Sequence, residues 1–299
     1  MPSIFQQLLI LYVFIAAGWM IGKAKKGQTE HNQVLSVLLV TLLLPCKVFR
    51  SFASNFTAEY LSKRYVFLIA STVLLAVLIV LARLISRLFS KHEYQRRVYH
   101  YCTVITNYAY LGYVLIEAVF GEKMLADFMF FAIPFIIYTY TLGYALLTGG
   151  KNPLNRLANP ITVAIVLGMI AGLTGLDLPD FLQSVISMAS ACVGPLSMLL
   201  TGMTLSGFKL KELVLDWRIY IFAVIRLLAL PGVIYLACRG LGLNDVLPMM
   251  VIITCMPCGL NTIVFPKLIN QDCSLGARLA LVTHVLALPT LFLWLTLIQ

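Results

Sequence analysis

The sequence predicts an all-α integral membrane protein of ten transmembrane helices, arranged as a 5+5 inverted repeat in which helices four and nine are broken and cross. Three observations lead there. Apolar residues make up 61% of the 299-residue chain and charged residues 11%, against roughly 45–50% and about 25% in soluble domains, and the mean hydropathy is +0.93. Ten apolar runs follow one another with short polar links. One run, Val251 to Asn270, carries Pro257, Gly259, Asn261 and Thr262 near its middle, where a helix loses a backbone donor and meets a proline ring.

In chain order, the first run is Ile4–Ile21, followed by Lys23, Lys25 and Lys26 with no basic residue before it. A cleaved signal would carry its positive charge first, so a retained span with an outward N-terminus is expected. Val34–Ala53 contains Pro45, Val66–Phe89 ends in a basic cluster, and Val98–Gly121 holds the polar and small residues ITNYAYLGY. Met124–Thr148 contains Pro134 and completes a first half, residues 1–148. A short link at 149–159, expected in the cytoplasm, precedes a second half at 160–299. Its runs are Pro160–Leu176, Phe181–Leu205, Ile219–Arg239, Val246–Ile269 and Leu275–Ile298. The seventh run is crowded with Ser, Ala and Gly, which let helix backbones approach closely, so it reads as a packing seam or dimer face. Trp294 fits an interfacial anchor.

Loop charge sets the orientation. Three Lys and Arg follow span one, five span three, two span five, three span seven and two span nine. The loops after even spans carry four: Lys63, Arg64, Lys123 and Arg239. The positive-inside rule then places the odd loops in the cytoplasm and both termini on the non-cytoplasmic side of a plasma (inner) membrane. The net charge of +10 is therefore read as topology, with no nucleic-acid partner; the lipid bilayer is the surface this chain meets.

The halves echo each other. Pro45 in span two and Pro195 in span seven lie 150 positions apart, and the ITNY at Ile105 and ITCM at Ile253 lie 148 apart, on spans four and nine. Five spans per half is an odd number, so the second copy sits upside down, the plan of many secondary transporters. In hydrocarbon, backbone groups freed by a break must be buried or line a wet cavity, and the N-terminal end of a resumed half-helix favours an anion. The alternative for Pro257 alone is a packing kink.

Few charges lie inside the runs. Arg226 is mid-run, where a charge costs about 2.5–3.5 kcal/mol; it reads either as counter-charge for an anionic substrate and prop for the broken helix, or as a structural pair with Glu117. Lys47 and Arg50 are long enough to snorkel. Glu117 and His284 are candidate proton carriers. Cys255 and Cys258 form a CxxC within an apolar run and read as packing rather than metal or redox groups. No cofactor, metal or enzymatic constellation is expected: there is no HExxH, no aspartate-rich pair and no serine–histidine candidate at matching depth.

GWMIGKAKKGQTEHNQVLSVLLVTLLLPCKVFRSF resembles the opening of the auxin efflux carrier family, which includes the plant PIN proteins and bacterial carriers of malate or malonate type. TNYAYLGYVL is similar to its span-four motif and MPCGLNTIVF to its span-nine motif. The resemblance spans essentially the whole chain. It implies a scaffold of spans one, two, six and seven through which a homodimer forms, and a mobile unit of the other six moving as an elevator. It places a small organic anion at the crossover, with Asn107, Tyr108, Gly112, Met256, Pro257, Cys258, Gly259, Asn261 and Thr262 as the binding residues. Proton or sodium coupling is open. Val114 stands where the family usually has a proline, so a crossover at span four would rest on Gly112 and local polar groups. The rival readings are a bile-acid-type sodium symporter and a membrane sensor on a transporter fold.

Overall fold

A computed structural model describes residues 3–24, 29–150, 157–208 and 216–299. Lys25, Lys26, Lys151, Arg156, Lys209 and Lys211, which contribute to the charge bias, and most of the 149–159 link lie outside these residues.

The described chain is helical. Its elements are α1 (Ile4–Ala24), α2 (Thr29–Leu38), α3 (Leu44–Asn55), α4 (Ala58–Phe89), α5 (Glu93–Val104), α6 (Tyr113–Phe131), α7 (Ile133–Tyr138), α8 (Tyr144–Thr148) and α9 (Pro160–Thr174). They continue as α10 (Asp180–Ser206), α11 (Trp217–Val224), α12 (Leu230–Gly240), α13 (Leu247–Cys255), α14 (Asn261–Lys267) and α15 (Ser274–Leu297). Among the described residues, six stretches are long and apolar enough to cross a membrane: Ile4–Ala24, Asn32–Asn55, Ala58–Phe89, Asp180–Ser206, Trp217–Gly240 and Ser274–Leu297. A pair bent by 50°, Tyr108–Phe131 with Ile133–Thr148, makes up to a seventh. Large apolar side chains such as Val13, Leu88 and Met188 stay exposed on these helices, as a hydrocarbon surround requires.

Local sequence explains the element joints. Pro45 and Pro231 each stand second in a helix and follow a wider π turn, Leu39–Leu43 and Ile225–Ala229. The looser turn accommodates the ring without ending the helix. Asn159 caps α9, accepting from the Ile161 and Thr162 amides at 3.1 and 3.0 Å. Gly121 turns α6 at φ +84°, in the left-handed region where only glycine is unstrained.

Small residues decide which helices meet. α1 lies along α10 with the backbones in contact: a Cβ on Gly202 would fall 1.9 Å from the Ile15 carbonyl oxygen, and one on Gly18 would fall 2.2 Å from that of Leu199. α9 meets α3 the same way, since a Cβ on Gly172 would lie 2.5 Å from the Phe56 carbonyl oxygen. The Ser/Ala/Gly-rich seventh run is thus a packing seam against α1. The core sits where α5, α6, α13 and α15 converge, around Tyr101, Phe128, Ile253 and Ala280.

Three sequence expectations are corrected here. Trp294 is 6% exposed and donates its indole N–H to the Leu227 carbonyl at 2.8 Å, so it fills the bundle rather than anchoring at an interface. Lys47 does not snorkel: it is 3% exposed and pairs with Glu117 at 2.5 Å, joining α3 to α6. Glu117 is therefore not the partner of Arg226. Arg50 pairs with Glu122 at 2.7 Å, beside the first pair.

Candidate functional site: a crossover of two broken helices

α13 stops at Cys255 for a reason written in its sequence. The residue before a proline is pushed out of helical conformation, and Met256, ahead of Pro257, is extended at φ −66°, ψ 150°. The chain becomes helical again at Asn261. α5 stops at Val104 without a proline. Ile105 is extended at φ −105°, ψ 128°, and helix resumes through a π turn, Tyr108–Gly112, into α6. Val114 lies within that resumed helix, so the missing proline does not prevent the break.

The two gaps satisfy each other. Thr106 and Cys258 pair as an antiparallel bridge. The Asn107 amide donates to the Pro257 carbonyl at 2.8 Å, and the Gly259 amide to that of Ile105 at 3.4 Å. Unpaired backbone groups at this depth would each cost several kcal/mol, so each break stabilises the other. Gly259 suits its place: a Cβ there would meet the Thr106 carbonyl oxygen at 3.1 Å. Side chains tie the crossing down further. Thr106 Oγ1 donates to the Ile253 carbonyl at 3.0 Å, and Thr283 Oγ1 accepts the Cys258 amide at 3.1 Å.

A cavity opens on one side of the crossing, lined by Thr106 to Tyr110 and Gly259 to Asn261 from the starts of the resumed helices. Tyr113, Ile136, Thr139 and Tyr140 form one wall, and Leu44, Val48 and Ile161 the other. It has room for about 40 Å³ of water, roughly three molecules. Its polarity comes from amides, hydroxyls and helix starts, with no charged side chain among the described lining residues.

Of the residues expected at the site, Asn107, Tyr108, Gly259 and Asn261 line this cavity. Met256, Pro257 and Cys258 are buried in the break itself. Thr262 is buried behind it, donating to the Gly259 carbonyl at 2.9 Å, and Gly112 packs near Phe128. Arg226 is fully buried and donates Nη1 to the Thr254 carbonyl at 2.5 Å, at the C-terminal end of α13. A cation there complements the negative end of the helix. Glu117 sits with Lys47, outside the lining. His284 is buried on α15 and meets Asn107 at 2.9 Å. Sequence reasoning missed Leu44, Val48, Thr106, Ala109, Ile136, Thr139, Tyr140 and Ile161 as lining residues; the run YTYT at 138–141, polar inside an apolar span, is the signal that could have found two of them.

The profile of the membrane transport protein family matches residues 3–154 and again 146–295. An uncharacterized transporter of Methanocaldococcus jannaschii is 22% identical over 306 aligned residues, which cover 96% of each chain. One strand of the crossover falls in each matched region, the Thr106 side in the first and the Cys258 side in the second. The chain is thus a multi-pass membrane transporter rather than an enzyme, and it belongs to the membrane transport protein family, that of the auxin efflux carriers.

Proposed function

We propose that the protein is a secondary transporter for a small organic anion, a carboxylate of malate or malonate type or an auxin-like acid, working by elevator-type alternating access. The observation that carries this reading is the crossover, with both resumed helices opening onto one cavity. Each helix start is equivalent to about half a positive charge, and no carboxylate among the described lining residues opposes them. The tyrosine wall suits an apolar body attached to the acid. The cavity as it stands is too small for such a substrate, so binding and release require its walls to separate.

The ten-span, 5+5 inverted-repeat reading belongs to the same proposal. It takes α5 with the π turn and the first part of α6, and α13 with α14, as broken spans four and nine. The family profile matching twice supports two repeats, at 1–148 and 160–299. The close contacts of α1 with α10 and α3 with α9 support a scaffold of spans one, two, six and seven, on which two protomers would dimerise. Arg226 then acts as the prop of broken span nine and adds positive potential from behind it.

Reconstituted into liposomes, the protein should accumulate labelled malonate, malate or indole-3-acetate above empty vesicles, and prefer an acid to an amine of similar shape. Preference for the amine would overturn the anion reading. Flux that requires sodium would move the protein to the bile-acid-type symporters, and binding without flux would make it a sensor.

Orientation in the plasma membrane, with both termini outside, is tested separately. In a cysteine-free background, a cysteine at Asp177 should react with an impermeant thiol reagent in intact cells, while one at Lys91 should react only after permeabilisation. The opposite pattern would invert the topology.

A further inference from the structure

His284 is the residue the proposed carrier cycle leaves unused, and its hydrogen bonds constrain what Asn107 shows the cavity. Nδ1 of His284 lies 2.7 Å from the Ala280 carbonyl oxygen. A carbonyl only accepts, so Nδ1 carries a proton in every state of the ring. In the neutral ring Nε2 is then a bare acceptor, and the Asn107 amide nitrogen donates to it at 2.9 Å. With its N–H edge committed to His284, Asn107 turns its oxygen towards the cavity that it lines. An oxygen repels a carboxylate.

Protonation reverses this. An imidazolium is a donor at both nitrogens, so Nε2–H needs the Asn107 oxygen, and the amide must flip and present its N–H edge to the cavity. We infer that His284 is a proton-binding site that loads together with an anionic substrate, with the Asn107 amide reading its protonation state. The inference rests on the carboxylate-carrier reading above and deepens it by naming the coupled ion.

The surroundings explain why the two ligands would bind together. α15 packs against α1, α5, α10, α11, α13, α14 and the turn before α12, and the buried titratable and charged groups these carry are Tyr99, Tyr101 and Cys102 on α5, Cys255 on α13 and Arg226, with Cys258 at the break and Tyr12 of α1 against His284 itself. Tyr12 donates its hydroxyl to the His284 backbone carbonyl at 2.6 Å, and Arg226 gives Nη1 to the Thr254 carbonyl while its Nε and Nη2 have no partner among the described residues. No carboxylate stands among them. A buried imidazolium therefore lacks a counter-charge in the empty site, and a carboxylate in the cavity supplies it. His284 is a positioning residue here, acting on the substrate through Asn107.

The test uses the full chain in lipid, with malonate and indole-3-acetate as probes and malonamide and indole-3-acetamide as neutral controls. Between about pH 6.5 and 8.5, affinity for the bound acid should fall tenfold per pH unit, the slope of one co-bound proton, while amide affinity stays flat. In parent protein labelled with ¹⁵N-histidine, addition of the acid should convert the His284 signal from neutral ring to imidazolium; His284→Gln identifies that signal and should abolish the pH slope. Acid binding that is independent of pH, a ring that stays neutral with acid bound, or a slope that persists in His284→Gln would each overturn the coupling and leave the carrier reading intact. If neither acid binds at any pH, the carrier reading falls and the coupling falls with it.

Discussion

Asn107→Ala is expected to abolish most substrate binding while leaving the crossover folded. Its backbone amide keeps the bond to the Pro257 carbonyl, so the pairing of the two breaks survives the loss of the side chain. What disappears is the amide that lines the cavity. A hydrogen bond to a charged group contributes about 1.5–3 kcal/mol, so affinity should fall roughly 10- to 100-fold. Asn261→Ala, on the opposite lip, should lose a comparable factor. Equilibrium binding of labelled acid, read beside the thermal melting of each variant, separates the site from the fold. Two variants that bind like the parent would show that the crossover cavity is not the site.

The largest structural effect is expected at Gly202. A valine there must place its Cβ where the Ile15 carbonyl oxygen and the Trp19 amide nitrogen now stand, 1.9 and 2.6 Å away. Both are backbone atoms, so no rotamer relieves the clash, and α1 and α10 must separate along the seam that Gly18 and Gly22 share. Overpacking costs about 1–3 kcal/mol where side chains can adjust; Gly202→Val should lie at or above the upper end. Gly240→Ala, with nothing within 4 Å of the added carbon, should melt like the parent. A Gly202→Val protein that also melts like the parent would mean that the two backbones do not touch.

The crossover shows how unevenly a site is written in a sequence. The break after Cys255 was legible because proline acts locally, on its own amide and on the residue before it. Gly259 and Asn261 could be placed at a cavity for a related reason, since small and polar residues interrupt the apolar run there, whereas Asn107 and Tyr108 were placed by the resemblance of TNYAYLGYVL to the family's span-four motif. The break at Ile105 to Asn107 has no such marker. It is held open by hydrogen bonds to residues some 150 positions away, and a long-range partner leaves no local trace. Charge pairing was illegible for the same reason. Lys47, Glu117 and Arg226 could be recognised as costly in hydrocarbon, but burial penalises a charge without naming its partner. Hence Glu117 went to Lys47 and Arg226 to the end of α13.

The sequence alone determined the membrane class and the helical content, because composition and apolar run length are properties of the chain read in one dimension. It also determined the proline-broken helix. Only the tertiary structure decided which helices touch through glycine, which backbone groups of the two breaks pair, and that His284 stands against Asn107. Those contacts join residues far apart in the chain, and packing settles them where the backbones can approach most closely and most buried polar groups find a partner.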